Sequence, residues 1–196
     1  MARTAEITRK TSETAIELAL DLDGTGRTEI ATGIGFFDHM LTAFGRHAML
    51  DLAVRAEGDL HIDAHHTIED TGIVLGQAIR QALGDKSGIT RFGFAATPMD
   101  EALCEAAIDL SGRGFLVFDM TFERPMLGDM DTQLVEEFFR ALTVNGGFAL
   151  HLTRRAGSNA HHVAEAAFKA AARALRVAAE PDPRAQGAVP STKGVL

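Results

Sequence analysis

The chain has 196 residues, 46% hydrophobic and 23% charged, a balance that supports a real core and excludes global disorder. A net charge of −8 argues against a nucleic-acid partner, whose phosphates need a basic face. No stretch approaches the roughly 18 uncharged apolar residues of a membrane helix, so no membrane partner is expected either.

In chain order, the first twenty residues lack the apolar core and cleavage pattern of a secretory leader. Residues 14–22 alternate and end in the turn "DLDGTG", and 27–32 return as a strand, so a hairpin is expected there. A helix is predicted over 36–47, a strand over 50–58 and a second helix over 65–84. Ile68, Ile73, Leu75, Ile79 and Leu83 lie mostly on one side of that second helix. "GDKSGIT" (84–90) is a connector. Strands then read near 91–97, 102–110 and 114–122, followed by a helix at 131–145, a strand at 147–154 and a helix at 161–178. The tail, 181–196, carries three of the five prolines and no periodicity, so it reads as extended or mobile. The single cysteine, Cys104, allows no intramolecular disulfide and fits a reducing cytoplasm, the expected location.

The same local patterns occur twice. "ELALDLDG" (17–24) matches "EAAIDLSG" (105–112), "DHMLTAF" (38–44) matches "EEFFRAL" (136–142), and "DAHHTIED" (63–70) matches "NAHHVAEA" (159–166). The offsets are 88, 98 and 96, in the same order along the chain, so an internal duplication is expected. The fold class is therefore α+β: a duplicated sheet-plus-two-helices unit, with halves at 1–86 and 87–180 packed together as one compact body.

The repeated Ala-His-His-x-x-Glu carries the chemistry. Its first His and its Glu are four apart, on one helix face, and can chelate one ion. The second His is rotated by about 100° and can reach a different ion. Two copies give the pairs His65–Glu69 and His161–Glu165 and leave His66 and His162 free, so two metal sites of mixed ligands follow. Imidazole and carboxylate together suit Mn, Fe, Zn or Co better than Ca or Mg. The repeat also aligns His39 with Glu137, two ligand types at equivalent places. His61 and His151 read as ordinary strand residues.

"GFFDHML", "DAHHTIEDTGI", "NAHHVAEAAFKAAARAL" and the terminal "PSTKG" together resemble the imidazoleglycerol-phosphate dehydratase family of histidine biosynthesis, in the right order over essentially the whole chain. The resemblance implies a duplicated α+β unit of the ribosomal protein S5 domain 2-like type. It implies two Mn2+ per active site and a cage of 24 subunits with sites at subunit contacts. It maps metal ligands onto His39, His65, His66, Glu69, His161, His162 and Glu165. With the helix-face geometry, His65, Glu69 and His162 group at one ion and His39, His66, His161 and Glu165 at the other. The family often has His where Glu137 stands here, so Glu137 is the ligand position at which this chain departs. Substrate contacts implied by the resemblance are Glu13, His47, Arg91, Arg113, Lys169, Ser191 and Lys193. Arg forks, a Lys charge and a hydroxyl suit a phosphate.

The implied reaction dehydrates D-erythro-imidazole-glycerol phosphate to imidazole-acetol phosphate. A metal on the substrate ring would stabilise imidazolate, which can expel the neighbouring hydroxyl; loss of a proton from the next carbon then gives an enol and the ketone. A carboxylate must handle the carbon proton or the leaving group. Glu13 is the candidate, with Glu165 second because a metal-bound carboxylate is a weaker base. Two competing classes are a dinuclear metallohydrolase, which would rely on several Asp, and a metal-storage cage, which would be an all-helical bundle. The duplicated His and Glu disfavour the first, and the strands disfavour the second.

Overall fold

The computed structural model describes residues 2–196 and has two halves of one design. The first half runs β1 (Thr4–Lys10), β2 (Thr14–Asp21), β3 (Thr28–Ala31), α1 (Gly35–Ala48), β4 (Asp51–Gly58) and α2 (His65–Leu83). The second runs β5 (Phe92–Met99), β6 (Ala102–Asp109), β7 (Phe115–Asp119), then the two-residue strands β8 (Met126–Leu127) and β9 (Met130–Asp131). It continues with α3 (Gln133–Gly146), β10 (Ala149–Ala156) and α4 (Ala160–Ala179). The sheets have the orders β1-β2-β4-β3 and β5-β6-β10-β7, which are the same topology.

The expected hairpin of 14–22 with 27–32 is not formed. β2 pairs antiparallel with β1 and with β4, and β3 pairs parallel with β4. A parallel pair needs a crossover, and α1 supplies it between β3 and β4 just as α3 does between β7 and β10. The sequence reading left out β1, the strand that occupies the place beside β2. α3 starts at Gln133 rather than 131 because Met130 and Asp131 close the small β8–β9 hairpin. His61 falls in the turn after β4, not in a strand, while His151 is an exposed strand residue of β10.

The four helices lie between the two sheets. α2 packs on α3 and α1 on α4, so the helix pairs join opposite halves, while α2 also covers β1 and β2, and α4 covers β5 and β6. Strand β2 shows why. Thr14, Ile16, Leu18 and Leu20 alternate inward and are buried, and the residues between them face out. α4 is buried on nearly every face, and its alanines allow the close approach. A Cβ at Gly93 would stand 1.9 Å from the Ala174 carbonyl oxygen. At the other seam, a Cβ at Gly72 would lie 2.7 Å from the Phe138 carbonyl oxygen, and one at Gly76 2.5 Å from that of Leu142. Phe37 (α1), Phe138 (α3) and Phe168 (α4) are fully buried and meet at the centre, with Phe138 5.3 Å from Phe37 and 5.2 Å from Phe168. Cys104 fills in the second half the core place that Ile16 fills in the first, and burial pushes its thiol up to about 11.

The tail is tied down rather than free. Pro181 bridges Ile89, and Gly88 and the chain at 182–188 exchange backbone hydrogen bonds of 2.8 and 2.9 Å, fixing the tail along the connector. Among the described residues no helix is long and apolar enough to cross a membrane.

Candidate metal and substrate site

Both His-His helices start the same way. The Asp63 carboxylate accepts the His65 backbone N–H at 2.7 Å, and the Asn159 side-chain oxygen accepts that of His161 at 3.0 Å. These short polar side chains satisfy donors that a helix start leaves open, and they put each His pair in the first turn. α2 is held further by buried Asp70, whose carboxylate accepts from Arg9 on β1 and from the Thr14 hydroxyl on β2. α4 has Ala166 at the matching position, and its adjacent carboxylate, Glu165, instead faces α1.

At the α1–α4 seam three potential ligands converge. His39 Nε2 is 3.1 Å and His161 Nε2 3.2 Å from the same Glu165 oxygen, and all three ligand atoms lie within 4.8 Å of one another. Lys169 donates to the other Glu165 oxygen at 2.6 Å. Burial disfavours the Glu165 charge, but hydrogen bonds from Lys169 and His39 outweigh it and hold the carboxyl at about 2. His47, two turns along α1 from His39, is lowered by its own burial and then by the charges of Lys169 and Arg173.

The α2–α3 seam is the counterpart. His65 Nε2 is 3.8 Å from Glu69. His65 and Glu137 line one cleft of about 670 Å³, with Asp63 and Asp131 at its wall. Glu137 leans toward Arg140, 3.9 Å away. Among the described residues the tighter three-donor group forms at the seam where the α1 residue is His.

His66 and His162 stand outside both sets within this chain. His66 Nδ1 meets Asp59 at 3.0 Å, and its Nε2 is 3.9 Å from Glu13, which sits in the turn between β1 and β2. His162 Nδ1 meets Glu101 at 2.7 Å, and its Nε2 is 3.9 Å from Asp100, in the turn between β5 and β6. Donating to the Asp59 and Glu101 carboxylates raises these two imidazoles, and the bond accepted from His162 holds Glu101 at about 2. The sequence reading missed Asp59, Asp100 and Glu101. The signal for Glu101 was present, since it lies 88 residues after Glu13, the offset of the strands that flank both turns.

The anion-type residues cluster at another end. Arg91, with φ of 73°, donates to Asp109 at 2.8 Å and to the Pro190 carbonyl at 2.8 Å, and stacks on Phe92. The Ser191 hydroxyl oxygen accepts the Lys193 backbone N–H at 3.2 Å, and Lys193 is exposed. Arg113 is exposed in the loop after Gly112, and a Cβ on Gly112 would touch Leu196 at the end of the tail. Connector, loop and tail therefore bring Arg91, Arg113, Ser191 and Lys193 into one region of the surface.

The imidazoleglycerol-phosphate dehydratase family model matches residues 32–175. The imidazoleglycerol-phosphate dehydratase of Acidiphilium cryptum is 88% identical over 196 residues, covering all of both chains. That of Granulibacter bethesdensis is 66% identical with the same coverage. Among solved structures, the Pyrococcus furiosus protein in complex with (S)-C348 superposes with a TM-score of 0.84 at 37% identity, over 97% of this chain and 100% of that one. The Staphylococcus aureus enzyme gives 0.81 at 39% identity, over 89% and 97%.

Proposed function

The chain belongs to the imidazoleglycerol-phosphate dehydratase family, and from that premise we propose how its residues dehydrate imidazole-glycerol phosphate in histidine biosynthesis. It is a carbon–oxygen lyase, and the product is imidazole-acetol phosphate.

The donor set fits a divalent metal. Two imidazole nitrogens and a carboxylate within 4.8 Å of one another make a mixed set that suits Mn2+. His39, His161 and Glu165 would hold one Mn2+, and His65 and Glu69 the other, with Glu137 in the same cleft. His66 would complete the first set and His162 the second, from neighbouring copies. When bound, such an ion supplies a Lewis acid that lowers the pKa of an imidazole N–H on the substrate. Sharing ligands between copies makes self-association part of the design, and a cage of 24 subunits is the assembly we propose. Phe92, Phe94 and Phe115, 57–61% exposed on the outer face of the second sheet, support association.

The remaining work falls to the chain's own groups. Arg91, Arg113, Ser191 and Lys193 bind the substrate phosphate, with the tail positioned to exclude water over it. Glu13, on a turn and exposed beside the free side of His66, takes the proton from the carbon that becomes the enol. Lys169 holds Glu165 ionised, so Glu165 serves as a ligand rather than as the base. His47 lies close enough to Lys169 to feel its charge, and we assign it a contact with the substrate there. The lone, buried Cys104 suits a cytoplasmic setting.

The observation that carries the metal reading is the convergence of His39, His161 and Glu165. Elemental analysis of the purified protein beside a dehydratase assay tests it. His161→Ala should lose bound metal and turnover together; full metal content in that variant would sink the ligand assignment.

A further inference from the structure

The acids around His66 and His162 are not interchangeable copies. His66 is held by Asp59, directly after β4, while His162 is held by Glu101, directly before β6. The two halves recruit their carboxylate from two different chain segments that meet at the same sheet end, since the Asp59 N–H donates to the carbonyl of Glu13, the counterpart of Glu101. Counted along the ladders, where Ala15 faces Glu57 and Leu103 faces Ala156 past a bulge, Gly157 matches Gly58, and the second-half position matching Asp59 is Ser158, which offers no carboxylate. The first-half position matching Glu101 is Glu13, and the acid on His66 Nδ1 is Asp59 instead.

We infer that Asp59 and Glu101 are positioning residues, each accepting the Nδ1–H of its histidine so that Nε2 is the nitrogen offered to a divalent cation, and that Asp59 thereby leaves Glu13 free for the substrate. The inference rests on the reading of His66 and His162 as ligands. A carboxylate on one ring N–H fixes the tautomer and the ring orientation and makes the other nitrogen a better donor. In both histidines the geometry has this form: Nδ1 within 2.7–3.0 Å of a carboxylate, and Nε2 no closer than 3.9 Å to any paired acid. Both acids also tie loops. Glu101 accepts the Asn159 N–H at 3.0 Å, and the Asp59 N–H donates to the Glu13 carbonyl at 3.1 Å. A test must therefore separate orientation from loop-holding.

The test titrates Mn2+ into the full chain stripped by chelator, by calorimetry, with thermal melting of the metal-free form as the second readout. Asp59→Asn and Glu101→Gln should each weaken Mn2+ binding about 10–100-fold, the range for removal of such supporting groups, while the metal-free melting temperature stays near that of the parent. Glu101→Asp, which keeps the carboxylate, should recover part of the affinity. Parent-like affinity in both amide variants overturns the inference, and so does a loss of affinity that only follows a lowered metal-free melting temperature. If Glu101→Gln alone folds, its affinity decides. His161→Ala in the same series separates the two levels: parent-like Mn2+ binding there overturns the ligand reading itself, whereas its loss beside normal binding in the amide variants overturns only this inference.

Discussion

The two halves share one topology yet differ in what their outer surfaces and turns carry. On the outer face of the first sheet, Glu6, Glu17, Glu29 and Glu57 line a concavity of about 880 Å³ that contains no histidine. The same face of the second sheet presents Phe92, Phe94 and Phe115. At the seams the contrast repeats on a smaller scale: His39 joins His161 and Glu165 in a tight group, while Glu137 stands off from His65. A duplicated backbone therefore holds most buried positions apolar, with exceptions such as Asp70 against Ala166, and lets exposed ones diverge further, because packing constrains the former more.

The strongest way to break this comparison is at the paired turns. Glu13→Gln should cut turnover by roughly 10²–10⁴-fold, the span for removing a general base, with metal content unchanged. Its counterpart Glu101→Gln should instead lose turnover only as far as it loses metal, and should recover with excess Mn2+. Equal, metal-independent losses in both would erase the division of labour between the halves. Next comes the α2–α3 seam. Gly76→Ala puts a methyl 2.5 Å from a backbone oxygen of the facing helix, so the helices must separate. A stability loss of about 1–3 kcal/mol is expected from such overpacking, read as a lower melting temperature; an unchanged one would show that the seam is loose. The smallest effect is at the sheet faces. Phe94→Glu makes the second face resemble the first, and light scattering should then report a lower assembly mass with the protomer's circular dichroism unchanged. An unchanged mass would remove that face from the assembly contacts.

The helices, most strands and the duplicated His-His motif were legible because they repeat or alternate. Strand β1 was not. "TAEITRK" has only Ala5 fully buried, since it is an edge strand, so period-2 hydrophobicity barely marks it. Without it, the nearest available pairing for β2 was the wrong one. The strands β8 and β9, two residues each, are too short to show any period. At the site, His and Glu four apart on a helix are a local signal, and His39 and Glu137 are found by aligning the halves. Asp59 and Glu101 are different. Asp59 follows β4 and Glu101 sits in the turn before β6, and only the folded structure brings each to its histidine. The proposed ligands inside a helix can be read along the chain, whereas the groups proposed to aim them are contacts made in the fold.

The helix layer between the sheets has a consequence for how such a chain can be cut. Because α2 buries itself on α3, and α1 on α4, each half lacks the surface that covers its own helices. Severed within 84–90, neither fragment should hold its shape alone, yet the two expressed together should find each other and rebuild the fold. The arrangement is that of two half-length units packed reciprocally, as in a twofold dimer, and joined by a short connector. On the roles proposed above, the two copies differ in use: one turn keeps Glu13 for chemistry while the other gives Glu101 to support.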